Sequence, residues 1–280
     1  MNEITINWHI LERCNYSCDY CFAKYANSDK KEIHNSKESI EFLLEKVYHY
    51  FTTKYNGYSI RLNIAGGEPM LSKNLDYIIE VAYRIGFKIS LITNASKLTS
   101  RFIRTNAKHI SMFAISIDSI NNKVNIKIGR SFKNNTLSIS KIFKHLEELK
   151  KMNPLVKIKI NTVVNKYNYK NYLGDIIDLI NPFKWKVLQA LSLTDEVFCS
   201  DEQYKMFLIN HQNINTKISQ ESNNDMRDSY IMLDPYGRFY QNTFGKYNYS
   251  KSILDVDIEK AFESIKFDFN KFIQRYSNEI

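Results

Sequence analysis

Only four cysteines occur in the 280 residues, and three of them, Cys14, Cys18 and Cys21, fall within eight positions, with Cys199 far downstream. That distribution is unsuited to a disulfide framework and points instead to reactive or metal-bound thiols. No stretch approaches the ~18 consecutive apolar residues of a membrane span. Met1-Asn2-Glu3 leads into strand-like sequence without a charged-then-apolar leader, so the expected location is the cytoplasm, with no membrane partner. Internal repeats and low-complexity linkers are missing too. What is present, 44% hydrophobic and 14% aromatic residues, is too rich in core-forming side chains for disorder. The length suits one large α/β domain or two small ones.

Lysine and arginine number 39 against 30 aspartates and glutamates, a net charge of +9. This excess favours anionic partners, such as nucleic acid, nucleotides or acidic surfaces, although much of it falls on helix faces such as 144–151 that read as simply solvated.

Strand-like and helix-like segments alternate. Apolar residues alternate over 4–11, and Ile40, Leu43, Leu44, Val47 and Tyr48 then recur at helical spacing after Asn35 and Glu38, which are placed like a capping box. Further strands are expected at 59–65, 88–93, 109–117, 156–164 and 184–189. The clearest intervening helix carries Ile139, Ile142, Phe143, Leu146 and Leu149. Six βα units imply a parallel sheet, open or curled into a partial barrel. After about Ala190 the rhythm changes to a polar segment, a hairpin at Asp234-Pro235-Tyr236-Gly237 and a helix from about Ile258. The expected division is therefore 1–190 as the barrel and 191–280 as a C-terminal extension packed on it.

The cysteines form C-x3-C-x2-C just after the first strand, followed by Phe22. Three thiolates on one short loop can each hold one iron of a [4Fe-4S] cube, leaving the fourth iron open to another ligand. Structural zinc requires four closed ligands, and behind the loop only His34 lies at all close. Cys199 reads as a small buried apolar residue.

With its trailing aromatic, this loop resembles that of the radical S-adenosylmethionine (SAM) superfamily. Gly66-Gly67-Glu68-Pro69, following the second strand, is similar to the turn that these enzymes set against the methionyl amine of SAM. The resemblance implies a [4Fe-4S] cluster on Cys14, Cys18 and Cys21, with SAM chelating the open iron and cleaved there to methionine and a 5'-deoxyadenosyl radical.

The strands carry an unusual polar face. Arg61, Asn63 and Ala65 alternate with Leu62 and Ile64; Lys157, Lys159 and Asn161 alternate with Ile158 and Ile160; Lys184 and Lys186 flank Trp185. In a barrel wrapped by helices the apolar face meets the helices and the polar face looks inward. Unpaired cations there are too costly to serve packing, and a bound polyanion such as a triphosphate would offset that cost.

A longer resemblance, from Asn7 to about Arg275, is to the viperin family of radical SAM nucleotide dehydratases, particularly its prokaryotic members. It is carried by Asn7-Trp8-His9, Ile128-Gly129-Arg130, Lys159-Ile160-Asn161, residues 181–187 (NPFKWKV), Glu221-Ser222-Asn223, Asp228-Ser229-Tyr230 and residues 250–256 (SKSILDV). It implies a partial (β/α)6 radical SAM barrel of the α/β class, whose extension closes over a nucleotide. The implied substrate is a nucleoside triphosphate, CTP or else UTP or GTP. Hydrogen is taken from ribose C4', the 3'-hydroxyl leaves as water, and the 3'-deoxy-3',4'-didehydro product terminates RNA chains in antiviral defence.

Carried over by position, Arg61, Lys159, Lys184 and Lys186 would hold the triphosphate, and Asn7, Asn63 and Asn161 the rest of the nucleotide. Phe22, Gly66, Gly67, Glu68, Asn94, Ser116 and Arg130 would contact SAM, and Tyr230 would stand by the reacting sugar. A family serine is replaced by Ala65. A family lysine aligns with Tyr247, so Lys246 is the expected substitute. The resemblance does not extend to the animal members' amphipathic membrane helix or tryptophan-ended tail, so membrane targeting and tail-dependent cluster delivery are not expected. An electron donor such as flavodoxin, a monomeric state and no stable nucleic-acid complex are further expectations. Two rivals remain open: a radical SAM enzyme with another substrate, such as a peptide, and a zinc-bearing nucleic-acid binder.

Overall fold

A computed structural model describes residues 3–23, 31–190, 198–243 and 246–277. In chain order its strands are β1 (Glu3–His9), β2 (Ser59–Ala65), β3 (Lys88–Thr93), β4 (Ile110–Ser116), β5 (Lys157–Val164), β6 (Lys184–Gln189), β7 (Ile218–Glu221), β8 (Ile231–Leu233), β9 (Arg238–Thr243) and β10 (Lys246–Ser252). The helices are α1 (Lys37–Lys54), α2 (Leu75–Ile85), α3 (Ser100–Asn106), α4 (Asn122–Lys127), α5 (Ile139–Met152), α6 (Gly174–Ile180), α7 (Asp201–Asn210), α8 (Ile258–Glu263) and α9 (Phe269–Ser277). All six expected barrel strands form. The expected C-terminal helix is two, α8 and α9.

One sheet contains every strand, in the order β10-β9-β8-β1-β2-β3-β4-β5-β6-β7. Pairing is parallel from β8 through β7, whereas β8-β9, joined by the Pro235-Gly237 turn, and β9-β10 are antiparallel. Strands from the C-terminal part of the chain thus flank the six βα strands on both sides. Side chains of β1 to β6 and of β8, β9 and β10 line a single cavity, so the sheet curves around it.

The outward face supplies the hydrophobic core. Ile4, Ile6, Trp8, Leu62, Ile64, Ile158, Ile160 and Trp185 are buried there with Leu43, Leu44 and Val47 of α1 and Leu146 and Leu149 of α5. Burying each such side chain contributes about 1.5–3 kcal/mol. The start of α1 differs from the sequence expectation. Its N-cap is Ser36, whose Oγ accepts from the Ser39 amide at 3.2 Å and donates to Glu38 at 2.8 Å, while Asn35 lies in a preceding 3-10 turn. A hydroxyl one residue later reaches the free amides of the first turn equally well.

Candidate active site

The chain leaves β1 at His9 and runs into the cysteine loop, which packed backbone holds from two sides. On one side, the Gly67 and Glu68 amides donate to the carbonyls of Leu11 (2.8 Å) and Arg13 (3.0 Å). A Cβ on Gly67 would lie 2.1 Å from the Arg13 carbonyl oxygen, so only glycine admits this approach. On the other side, the Ser17 amide donates to the Gly129 carbonyl at 3.0 Å, and a Cβ on Gly129, at φ +74°, would lie 2.2 Å from the Ser17 oxygen. Cys14, Cys18 and Cys21 are half-buried and unbridged. Burial pushes the Cys18 thiol up to about 12, a cost that binding of iron to the thiolate offsets. Cys199 is fully buried in the hydrophobic core, as expected.

Glu68 is fully buried, and its carboxyl accepts from Thr93 Oγ1 (2.7 Å) and from the amides of Asn94 (2.8 Å) and Met70 (3.0 Å). Burial nevertheless raises its pKa. The Asn94 amide group reaches Asn15 Oδ1 at 3.1 Å and Cys14 Sγ at 3.8 Å, tying the end of β3 to the cysteine loop. Arg130 donates to the Ser116 carbonyl (2.5 Å) and the Tyr20 hydroxyl (2.9 Å), and pairs with Asp118 at 3.3 Å. Glu68, Asn94, Ser116 and Arg130 therefore gather around one loop at the C-terminal ends of β2 to β4.

Below the loop is the cavity. Phe22 lines it from above, 5.6 Å from the His9 ring and stacked at 5.8 Å on Tyr247. Burial lowers the His9 imidazole to about 3, so it is neutral, with Nδ1 2.9 Å from the Tyr240 hydroxyl. Asn7, Arg61, Asn63, Ala65, Lys159, Asn161, Lys186 and Tyr230 all line this cavity. Lys184 is buried on the same face, in register with Lys159. Asn63 donates to Asn7 Oδ1 and accepts from Ser90 Oγ, both at 2.7 Å. Three cavity residues keep a buried oxygen with no hydrogen-bond partner among the described residues: Thr5, Asn161 and Asn242. Buried polar atoms are rarely left so, and a polar ligand would satisfy them.

Two expectations need correction. Lys246 is exposed and does not reach the cavity; Tyr247 lines it instead, because successive strand residues face opposite ways. Nor are the cations of this face unpaired. Arg61 makes a two-point contact with Glu3 (2.6 and 3.1 Å), and Lys186 pairs with Glu221 at 2.6 Å. Glu221 also pairs with Arg275 of α9 at 3.2 Å and accepts from the Tyr230 hydroxyl. Sequence reasoning missed the roles of Glu3, Glu221, Arg275, Asp118 and Tyr20. Glu221 fell within one of the stretches that carry the family resemblance and Arg275 only at its far limit, which was the available signal.

Among the described residues no three His, Cys, Asp or Glu side chains converge on the point that one metal ion would occupy. A zinc site needs that convergence, whereas a cube spreads its irons so that each takes its own thiolate. The three thiols on one strapped loop, beside a buried carboxyl, fit a cluster with SAM.

Comparison with known proteins agrees. Residues 8–180 match the model of the Radical SAM superfamily. Native anSMEcpe with bound AdoMet superposes with a TM-score of 0.70 at 14% identity, over 99% of this chain and 95% of that one. Streptococcus suis SuiB bound to S-adenosylmethionine gives 0.65 at 15% identity, over 97% and 67%. Fold and site thus define a radical SAM enzyme, which uses a [4Fe-4S] cluster and SAM. The "S-adenosylmethionine-dependent nucleotide dehydratase" of Psychrobacter lutiphocae is 38% identical over 98% of this chain and 95% of its own length. That of Fibrobacter sp. is 38% identical over 99% and 89%. This chain belongs to the same family, the viperins.

Proposed function

We propose that this enzyme dehydrates a nucleoside triphosphate, CTP in the first instance or else UTP or GTP, to its 3'-deoxy-3',4'-didehydro analogue, an RNA chain terminator made in defence against phage. The observation that carries this reading is the basic, under-satisfied cavity directly below the cysteine loop. Arg61, Lys159 and Lys186 line it from three strands, Lys184 is buried beside Lys159 without lining it, and the Asn161 oxygen in it lacks a hydrogen-bond partner among the described residues. When bound, the cluster and SAM supply the radical that removes hydrogen from the ribose.

Every other task belongs to the chain. Cys14, Cys18 and Cys21 anchor the cluster. Phe22, Gly66, Gly67, Glu68, Asn94, Ser116 and Arg130 seat SAM, with the buried Glu68 carboxyl positioning the turn beneath its methionyl end. The cations of β2, β5 and β6 neutralise the triphosphate, which fixes the ribose by its far end. Asn7, Asn63 and Asn161 complete the nucleotide contacts. Tyr230, whose hydroxyl lies between Lys186 and Glu221, is suited to pass a proton to the departing 3'-hydroxyl, so that it leaves as water. The segment 191–280 acts as the unit that closes over the site and excludes solvent. Working in the cytoplasm as a monomer, the enzyme takes its electrons from a flavodoxin and forms no stable complex with nucleic acid or membrane. No helix among the described residues is long and apolar enough to cross a bilayer.

The test is anaerobic incubation with SAM, reductant and each nucleoside triphosphate in turn, followed by mass analysis. The expected result is a nucleotide lighter by one water, formed with one equivalent of 5'-deoxyadenosine. SAM cleavage stimulated equally by a nucleoside monophosphate or a peptide would overturn the substrate assignment.

A further inference from the structure

A second depression, on the outside of the barrel, has the cysteine loop as one wall. Asn15 and Tyr16 line it together with Ser96 and Lys97 from the segment after β3, the 132–138 segment, and Lys141, Lys144 and His145 of α5. Its connection to the cluster ligands is immediate. The Tyr16 amide is 3.4 Å from Cys14 Sγ, Asn15 donates to Ser96 Oγ at 2.9 Å, and Asn94 touches both Asn15 and Cys14.

The charge of this groove is one-sided. Lys97, Lys141 and Lys144 are exposed along it, and no carboxylate is among its lining residues. Of the two acids on α5, Glu148 is paired with Arg104 at 3.0 Å and Glu147, though exposed, does not line the groove. Beside the lysines stands Phe132, 47% exposed. Its position is fixed by paired backbone hydrogen bonds between Phe132 and Asn135, both 2.9 Å, around a turn in which Lys133 and Asn134 take positive φ. An exposed aromatic on an ordered turn, ringed by like charges, has the form of an interface anchor with a steering rim.

We propose that this groove is the docking surface of an acidic electron-transfer protein carrying a reduced flavin. The inference rests on the radical SAM reading and adds the place at which electrons enter. Each water lost requires two deliveries, one to cleave SAM and one to complete the double bond after the 3'-hydroxyl has left. In each, the flavin is oxidised by one electron and the cluster site reduced by one. The substrate cavity lies inside the barrel, whereas this groove opens on its outer surface, so a docked donor leaves nucleotide access unobstructed. The lysines of α5, which look merely solvated in sequence, would serve to attract the donor and orient it on the cysteine loop.

The test compares the holoenzyme with its Lys97→Glu/Lys141→Glu/Lys144→Glu form, and separately with Phe132→Ala. Binding of a negatively charged bacterial flavodoxin is measured by interferometry at low and high salt, and SAM cleavage is driven either by that flavodoxin, reduced, or by dithionite. The triple variant should bind at least about tenfold more weakly at low salt and lose the salt dependence of the wild type. Its flavodoxin-driven cleavage should fall in parallel, with dithionite-driven cleavage and iron content unchanged. Phe132→Ala should weaken binding while keeping the salt dependence. Unchanged flavodoxin binding in both variants would overturn the proposal, as would an equal loss of dithionite-driven cleavage. Loss of RNA binding with flavodoxin binding intact would make the groove a nucleic-acid surface and equally overturn it. Absence of dithionite-driven cleavage in the wild type would instead defeat the radical SAM reading, a distinct failure.

Discussion

Lys186 Nζ lies 2.6 Å from the Glu221 carboxylate and 2.9 Å from the Tyr230 hydroxyl, so a cation offered to the cavity is already held by a buried anion and a phenol. Arg275 closes the group, its guanidinium 3.5 Å over the Tyr230 ring. A nucleotide arriving here meets an organised charge network, and its phosphates share Lys186 with Glu221.

Tyr230→Phe keeps the ring under Arg275 and removes only the hydroxyl. If that hydroxyl delivers the proton to the leaving group, kcat for dehydration should fall about a hundredfold or more, with KM for the triphosphate changed only a few-fold. SAM cleavage without dehydrated product should persist. A rise in KM with kcat unchanged would show that Tyr230 serves binding alone.

Glu221 also predicts a pH dependence of stability. Burial alone would raise its carboxyl, but the Lys186 and Arg275 cations beside it bring it down to about 2. With the folded value below the unfolded one, the stabilisation is complete above about pH 4.5 and is lost as pH falls toward 2. Urea unfolding across this window should show a decline in the wild type that is flatter in Glu221→Gln. That variant should also be less stable at pH 7 by on the order of 3 kcal/mol, because two buried cations lose their anion.

Gly67→Ala places a methyl against the Arg13 carbonyl and should displace the cysteine loop without removing a ligand. Iron and sulfide content after anaerobic reconstitution should fall, as it should for Cys14→Ala, Cys18→Ala or Cys21→Ala, whereas Cys199→Ala should load fully. Full loading of Gly67→Ala would show that the loop can shift to admit a methyl group 2.1 Å from the present position of the Arg13 oxygen.

Lys159→Ala should raise KM for the nucleoside triphosphate about ten- to a hundredfold, the equivalent of one charge-assisted hydrogen bond of about 1.5–3 kcal/mol. KM for SAM should be little changed, and nucleoside monophosphates should be poor substrates of the wild type. Equal increases in both KM values would place Lys159 outside the phosphate site.

The strands, the inward polar face and the cysteine loop were legible because each is encoded by neighbours in sequence: period-2 alternation, a turn signal, or three thiols in eight positions. What was not legible is pairing at a distance. Glu3 and Arg61 stand 58 positions apart, and Glu221 and Arg275 stand 54 apart, so no local pattern tells a buried cation awaiting a ligand from one that a carboxylate already holds. Lys246 failed for a smaller reason. One step along a strand reverses the direction of the side chain, and alignment cannot substitute a neighbour for the residue that faces inward.

The position of β1 has a consequence for how the molecule is made. The strand that leads into the cysteine loop pairs with β2 on one side and, through Ile6 to Trp8, with β8 on the other. It is synthesised long before β8, whose residues appear only after residue 230 has been made. Until then one edge of the cluster-bearing strand stays open, and joining it requires closing nearly the entire chain into a loop, a slow, high-contact-order step. An unpaired strand edge is a template for pairing with other chains, so the docking of β8 also covers the one edge by which the cluster-bearing strand could be drawn into aggregates.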